Sequence, residues 1–170
     1  IIPIIITIMV ITAVYLILFM PRKYYIPEHV LAVNNNTAED GVNYFTMYEA
    51  YFDYSKVYVG KNSSLVFVLT REQREEFLNY VENILQDYKQ QYEKEGTIVS
   101  YSESYTEIII ECKSTNVFYE INSSDLNGII AGAGFYQGFI GVKPEDNKVT
   151  LKVIDTDTNE VIYEKTLEAP

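Results

Sequence analysis

The first twenty residues, IIPIIITIMVITAVYLILFM, carry no charge, and this run constrains the chain more than any other feature. At about 1.5 Å per residue, a helix of that length spans roughly 30 Å, the thickness of a hydrocarbon core. A helix satisfies its own backbone groups there, as a bilayer demands. Pro3 falls in the first turn, where a missing N–H costs little. Tyr15, Tyr24 and Tyr25 suit interfacial levels. A helix buried in a soluble core seldom lacks polar residues for so long. A signal peptide has a shorter apolar region with a small-residue cleavage site behind it. Here the run leads into Phe19-Met20-Pro21-Arg22-Lys23. The pattern therefore predicts an uncleaved, single-pass transmembrane anchor over residues 1–20. The chain opens on Ile1, so an upstream segment is expected.

Arg22 and Lys23 flank the anchor, and the positive-inside rule alone would leave the large domain cytoplasmic. The remainder is rich in Tyr, Asn, Ser and Thr and holds a single thiol. That composition tips the expectation toward an extracytoplasmic domain on the cell membrane. Residues 21–42 read as a linker: Pro21 and Pro27 disfavour helix, and Asn34-Asn35-Asn36-Thr37 is turn-forming. Residues 43–170 are then expected to form one soluble α+β domain, long enough for a single core.

Charge and thiol content exclude whole classes of function. With 13 basic and 24 acidic residues, the 170-residue chain has a net charge of −11, so a nucleic-acid partner is not expected. Its 48% hydrophobic content excludes a disordered acidic tail. One Cys and one His exclude a disulfide framework and leave no metal or cofactor site to propose. Ser-His-Asp or Cys-His catalysis would have to use His29, which lies in the expected linker.

Local patterns suggest the elements. Leu65-Val66-Phe67-Val68-Leu69 reads as a strand buried on both faces. Thr70 and Gln73 form a capping box, and Phe77, Val81, Ile84, Tyr88 and Tyr92 make one helical stripe, so a helix is predicted over residues 71–95 with Gly96 as its stop. Residues 106–112 alternate with period two, placing Cys112 with Ile108 and Ile110 in the core. Residues 116–121 read as a further strand, and Ser123 or Ser124 as the cap of a glycine-rich helix. The last two strands, around Val149-Leu151-Val153 and over residues 161–167, are joined by a hairpin loop at residues 155–160. The order implies an antiparallel-sheet domain with a long helix on one face, ferredoxin-like in its specific form.

Two motifs invite chemistry and are set aside. Gly132-Ala133-Gly134 with Gly138 and Asp155 superficially resembles a dinucleotide-binding unit, but the third glycine is one residue late. Gly138, Gly141 and Pro144 are also expected to break the helix that must follow. The glycines then mark close backbone packing or an irregular loop, and the uncharged stretch 126–142 has lipid contact as a further reading. Asp155-x-Asp157-x-Asn159 opens like a calcium loop, but Glu160 stands where glycine is required.

The aromatic cluster remains. Tyr44, Phe45, Tyr48, Tyr51 and Phe52 fall within nine residues, and Tyr44, Tyr48 and Tyr51 fit one helical face. A helix buries one face, so some rings are expected to stay exposed and serve as an interaction surface. The favoured function is a membrane-anchored binding or scaffolding domain for a neutral or basic protein surface, or a glycan. A membrane-tethered hydrolase using carboxylates and a cytoplasmic regulatory domain are the alternatives. No motif carries a family resemblance.

Overall fold

The computed structural model describes residues 2–94, 96–113 and 123–169. Helix α1 (Ile2–Phe19) is followed by strand β1 (Arg22–Ile26), α2 (Glu28–Ala32), α3 (Ala38–Met47), β2 (Lys56–Val59), β3 (Leu65–Leu69) and α4 (Arg71–Lys94). Then come β4 (Ile98–Tyr101), β5 (Glu107–Cys112), α5 (Ser123–Ile140), β6 (Val149–Asp155) and β7 (Val161–Leu167). The chain is a mixed α+β fold.

Helix α4 forms for the local reasons its sequence states. The Thr70 hydroxyl accepts from the Gln73 N–H at 3.2 Å, and Gln73 Oε1 accepts from the Thr70 N–H at 2.9 Å. Phe77, Leu78, Val81, Leu85 and Tyr92 are buried along its inner face. Gly96, at φ +83°, takes the left-handed conformation that ends many helices.

The strands form two sheets, which corrects the ferredoxin-like expectation of a single antiparallel sheet. The first has order β1-β3-β2 and is antiparallel throughout. Its central strand is β3, which explains the unbroken apolar run of residues 65–69. The second has order β4-β5-β6-β7, with β5 and β6 parallel and the outer pairs antiparallel. Parallel neighbours need a crossover, and α5 lies on it. Helix α5 also touches α4, α2 and β1, so it joins the sheets. One core runs through both: Ile26, Leu65 and Phe67 belong to the same cluster as Ile108, Ile110, Leu151 and Val153.

Residues 21–42 are not a linker. Strand β1 pairs with β3 from Arg22↔Leu69 to Ile26↔Leu65, and Ile26, Val30, Leu31 and Ala38 are core residues. The turn-forming asparagines lead into α3, where Thr37 and Asp40 make a second capping box. The folded unit therefore starts at the end of α1. His29 is consequently fixed, with Nε2 3.2 Å from the Asn147 carbonyl oxygen. Burial pushes its pKa below 6.5, against the opposing pull of that hydrogen bond.

Helix α5 corrects a second expectation. Gly138 sits inside it, and the helix ends only at Ile140, before Gly141 at φ +91°. Its residues Leu126, Ile129, Ile130, Ala133 and Phe139 are buried against protein, which removes the lipid-contact reading of 126–142. A Cβ at Gly134 would fall 2.6 Å from Val30 Cγ2, so the glycines let neighbouring elements come close. The expected strand at residues 116–121 and the caps Ser123 and Ser124 lie outside the described residues and side chains.

Cys112 is buried on β5 beside the isoleucines, and burial followed by the nearby Asp155 raises its thiol pKa. Asp155 closes the 155–160 hairpin: its carboxylate accepts from the Asp157 N–H and the Thr158 hydroxyl, with Asn159 at φ +60°. The carboxylate that resembled a calcium ligand is thus part of the turn.

The described side chains of α1, including Ile6, Met9, Ile11, Val14 and Leu16, are exposed, and none joins the core. Counted over described residues, no helix is long and apolar enough to cross a membrane.

Candidate docking groove

Helix α3 lies on the first sheet. A Cβ at Gly41 would meet Leu65 Cδ2 at 2.7 Å, which shows how closely the helix approaches β3. One turn later Phe45 points inward. Its ring meets Phe67 edge-on at 4.8 Å and Phe52 at 5.1 Å. Phe52 stacks on Phe77 at 5.6 Å and meets Tyr80 edge-on at 5.3 Å. These geometries are the ones aromatic quadrupoles favour. Phe45 and Phe52 are half-buried and pack against the core.

The other three expected rings face outward. Tyr44 is 47% exposed, Tyr48 40% and Tyr51 81%. Their arrangement differs from the single helical face that their spacing implied. Helix α3 ends at Met47, Tyr48 is its C-cap, and the Tyr51 N–H donates to the Tyr48 carbonyl at 2.9 Å in a following turn. The rings nonetheless remain together, with centroids 4.8 Å apart for Tyr44 and Tyr48 and 6.3 Å for Tyr48 and Tyr51.

Residues 53–55 are pinned to the start of α4. Gln73 Nε2 donates to Asp53 Oδ1 at 3.0 Å, and the Ser55 hydroxyl donates to Gln73 Oε1 at 3.1 Å. The Tyr54 hydroxyl donates to the Phe45 carbonyl at 3.1 Å. The residue that caps α4 therefore also holds the aromatic loop against it.

The result is a groove of about 410 Å³ between the tyrosine turn and α4. Tyr44, Tyr48, Tyr51 and Phe52 form one wall, Phe77 and Tyr80 the other, and Asp53 and Glu76 add carboxylates. A second cavity of about 260 Å³, between α4 and α5, shares Phe77 and Tyr80 with it. Burial and then Tyr44 raise the Tyr80 pKa, so its phenol stays a neutral donor at neutral pH.

Sequence reasoning located Tyr44, Phe45, Tyr48, Tyr51 and Phe52 but missed Asp53, Glu76, Phe77 and Tyr80 as groove residues. Its spacing assigns Phe77 to the helix stripe alone. Tyr80 offered a signal: it is a large ring outside that stripe, three residues beyond Phe77. Among the described residues, no group of three or more His, Cys, Asp or Glu is placed to hold a metal ion. No protein-family model, curated protein or solved structure matches this chain.

Proposed function

We propose that the chain is a single-pass, membrane-anchored binding domain whose aromatic groove captures a basic segment of a partner protein. The observation that carries the reading is the convergence of three exposed tyrosines on a groove that also holds Asp53 and Glu76. Tyrosine rings give large contact area at low entropic cost, and their faces attract cations. Carboxylates beside them, in a chain of net charge −11, favour lysine- or arginine-bearing partners over anionic ones.

The anchor is assigned to α1 on its charge-free sequence and on exposed apolar side chains that the core does not use. The domain is assigned to the extracytoplasmic side on its Tyr, Asn, Ser and Thr content. Arg22 and Lys23 argue for the opposite orientation, so sidedness has its own test. Protease added outside intact cells removes an extracytoplasmic domain and spares a cytoplasmic one.

Groove function is tested by fluorescence polarisation on the detergent-solubilised full chain, using a labelled lysine- and leucine-rich peptide. A glutamate-rich peptide and a neutral oligosaccharide are the comparison probes. The cationic peptide is expected to bind, and Tyr48→Ala and Tyr51→Ala to weaken it about 30-fold, the loss of a contact worth about 2 kcal/mol. Thermal stability should change little, because both rings are exposed. Preference for the oligosaccharide or the acidic peptide would overturn the reading. So would unchanged cationic-peptide affinity in both variants.

A further inference from the structure

A second site lies at the foot of α1. That helix ends at Phe19 and β1 starts at Arg22, so the first strand begins directly beneath it. Arg22 pairs with Leu69 in the β1–β3 ladder, and α4 opens two residues later at Arg71. Arg71 and Arg74 are three residues apart and share one side of the first turns. Three arginines from two elements thereby line a single pocket of about 260 Å³, completed by Met20, Tyr24 and Leu69.

Among the described residues, no carboxylate lines this pocket. Among the described residues, Arg22 and Arg71 have no ion-pair partner. Arg74 engages the neighbouring Glu75 through Nη2, while its Nε is buried without a hydrogen-bond partner. Three like charges converge here in a chain whose acids outnumber its bases, and the fold neutralises one of them. The start of α4 adds the positive end of a helix dipole.

We propose that this pocket binds a phosphate-bearing anion. A guanidinium presents paired N–H donors in a planar fork that matches phosphate oxygens, and three such forks suit one tetrahedral group. The source of that phosphate follows from the pocket's position. If α1 spans the bilayer, Met20 and Arg22 lie at headgroup level, and an anionic phospholipid supplies the group. That choice of source rests on the proposed anchor; the pocket's chemistry does not.

The test uses the full chain in two settings. In nanodiscs, thermal unfolding is compared between phosphatidylcholine alone and phosphatidylcholine with phosphatidylglycerol. In neutral detergent, inorganic phosphate is titrated against chloride at matched ionic strength. Stabilisation by phosphatidylglycerol assigns the site to a lipid headgroup, and stabilisation by inorganic phosphate assigns it to the free ion. In either case Arg22→Gln and Arg71→Gln should each weaken the apparent affinity about tenfold. Lys143→Gln, on an exposed lysine that does not line the pocket, should leave it unchanged. Both arginine side chains are exposed, so neither variant threatens the fold, and circular dichroism verifies this. No stabilisation by either probe overturns the proposal, as does stabilisation of the two arginine variants equal to that of the native chain. Should the chain fail to co-elute with nanodiscs, the anchor reading fails, and the phosphate titration still decides the pocket.

Discussion

Gly138 offers the sharpest test of how α5 holds the two sheets together. A Cβ at this position would lie 2.5 Å from Ile26 Cδ1 and 2.7 Å from the Tyr25 carbonyl oxygen. The isoleucine tip has some freedom to rotate. The carbonyl does not, because Tyr25 sits opposite Val66 in the β1–β3 ladder. Alanine in a helix interior is worth about 1 kcal/mol over glycine. Forcing a methyl into a packed interior costs about 1–3 kcal/mol, and a backbone neighbour puts Gly138→Ala near the upper end. The expected balance is destabilisation by about 1–2 kcal/mol, a fall of roughly 2–8 °C in unfolding midpoint for a chain of this size. Gly132→Ala is the matched control. Its Cβ would meet Leu85 Cδ2, a side-chain tip, at 3.1 Å. There the helix propensity gain dominates, and the variant should be neutral to about 1 kcal/mol more stable. Near-ultraviolet circular dichroism follows tertiary melting in detergent and reports mainly on the domain, because the chain has no tryptophan and, of its 16 tyrosines, only Tyr15 lies in α1. If both variants move the midpoint in the same direction, the close approach of α5 to β1 does not govern this position, and the reasoning is refuted.

Three further outcomes are expected. A chain cut to begin at Asn43 should not fold, because it lacks β1 and α2 with Tyr24, Ile26, Val30 and Leu31, each worth about 1.5–3 kcal/mol when buried; a chain beginning at Pro21 should fold, and amide exchange in the two distinguishes them. Gln137→Leu should cost about 2 kcal/mol, read by urea unfolding. The buried Gln137 amide receives the Lys148 N–H at 3.0 Å and donates to the Lys148 and Tyr105 carbonyls at 2.8 and 3.2 Å, and leucine leaves all three without it. For His29, the folded pKa lies below 6.5, so the unfolded chain binds the proton more readily. Its contribution is complete above pH 6.5 and is lost as pH falls through the folded value. Melting midpoints between pH 7.5 and 5 should decline more steeply in the native chain than in His29→Gln. Asp40, lowered from 3.8 by hydrogen bonds from the Thr37 backbone and side chain, acts at lower pH and does not confuse the comparison.

Features set by neighbouring residues were legible in residue spacing. Helix α4 was legible because Thr70 and Gln73 cap it across a single turn, and its apolar stripe repeats within one segment. The alternation of β5 placed Cys112 inward, and the polar run at residues 155–160 gave a hairpin with Asn159 in the left-handed region. The exposure of Tyr44, Tyr48 and Tyr51 followed from crowding five rings onto a short segment with one face to bury. Tertiary structure decided the remainder. The segment from Pro21 onward has turn formers and two prolines, and its strand exists because β3, much later in the chain, supplies hydrogen bonds to its backbone. Glycine counted against a helix at residues 132–138 by local propensity, yet Val30, Ile26 and the Tyr25 carbonyl approach closely enough to reward the missing side chains. The parallel pairing of β5 with β6 depends on where α5 can pack, and that placed these strands in a second sheet. Tyr80 and Glu76 reached the tyrosine groove by the same route, because Gln73 ties the loop at Asp53 to α4. Hydrogen bonds within a turn leave their signature in residue spacing, whereas contacts between distant segments depend on shape complementarity that no local spacing records.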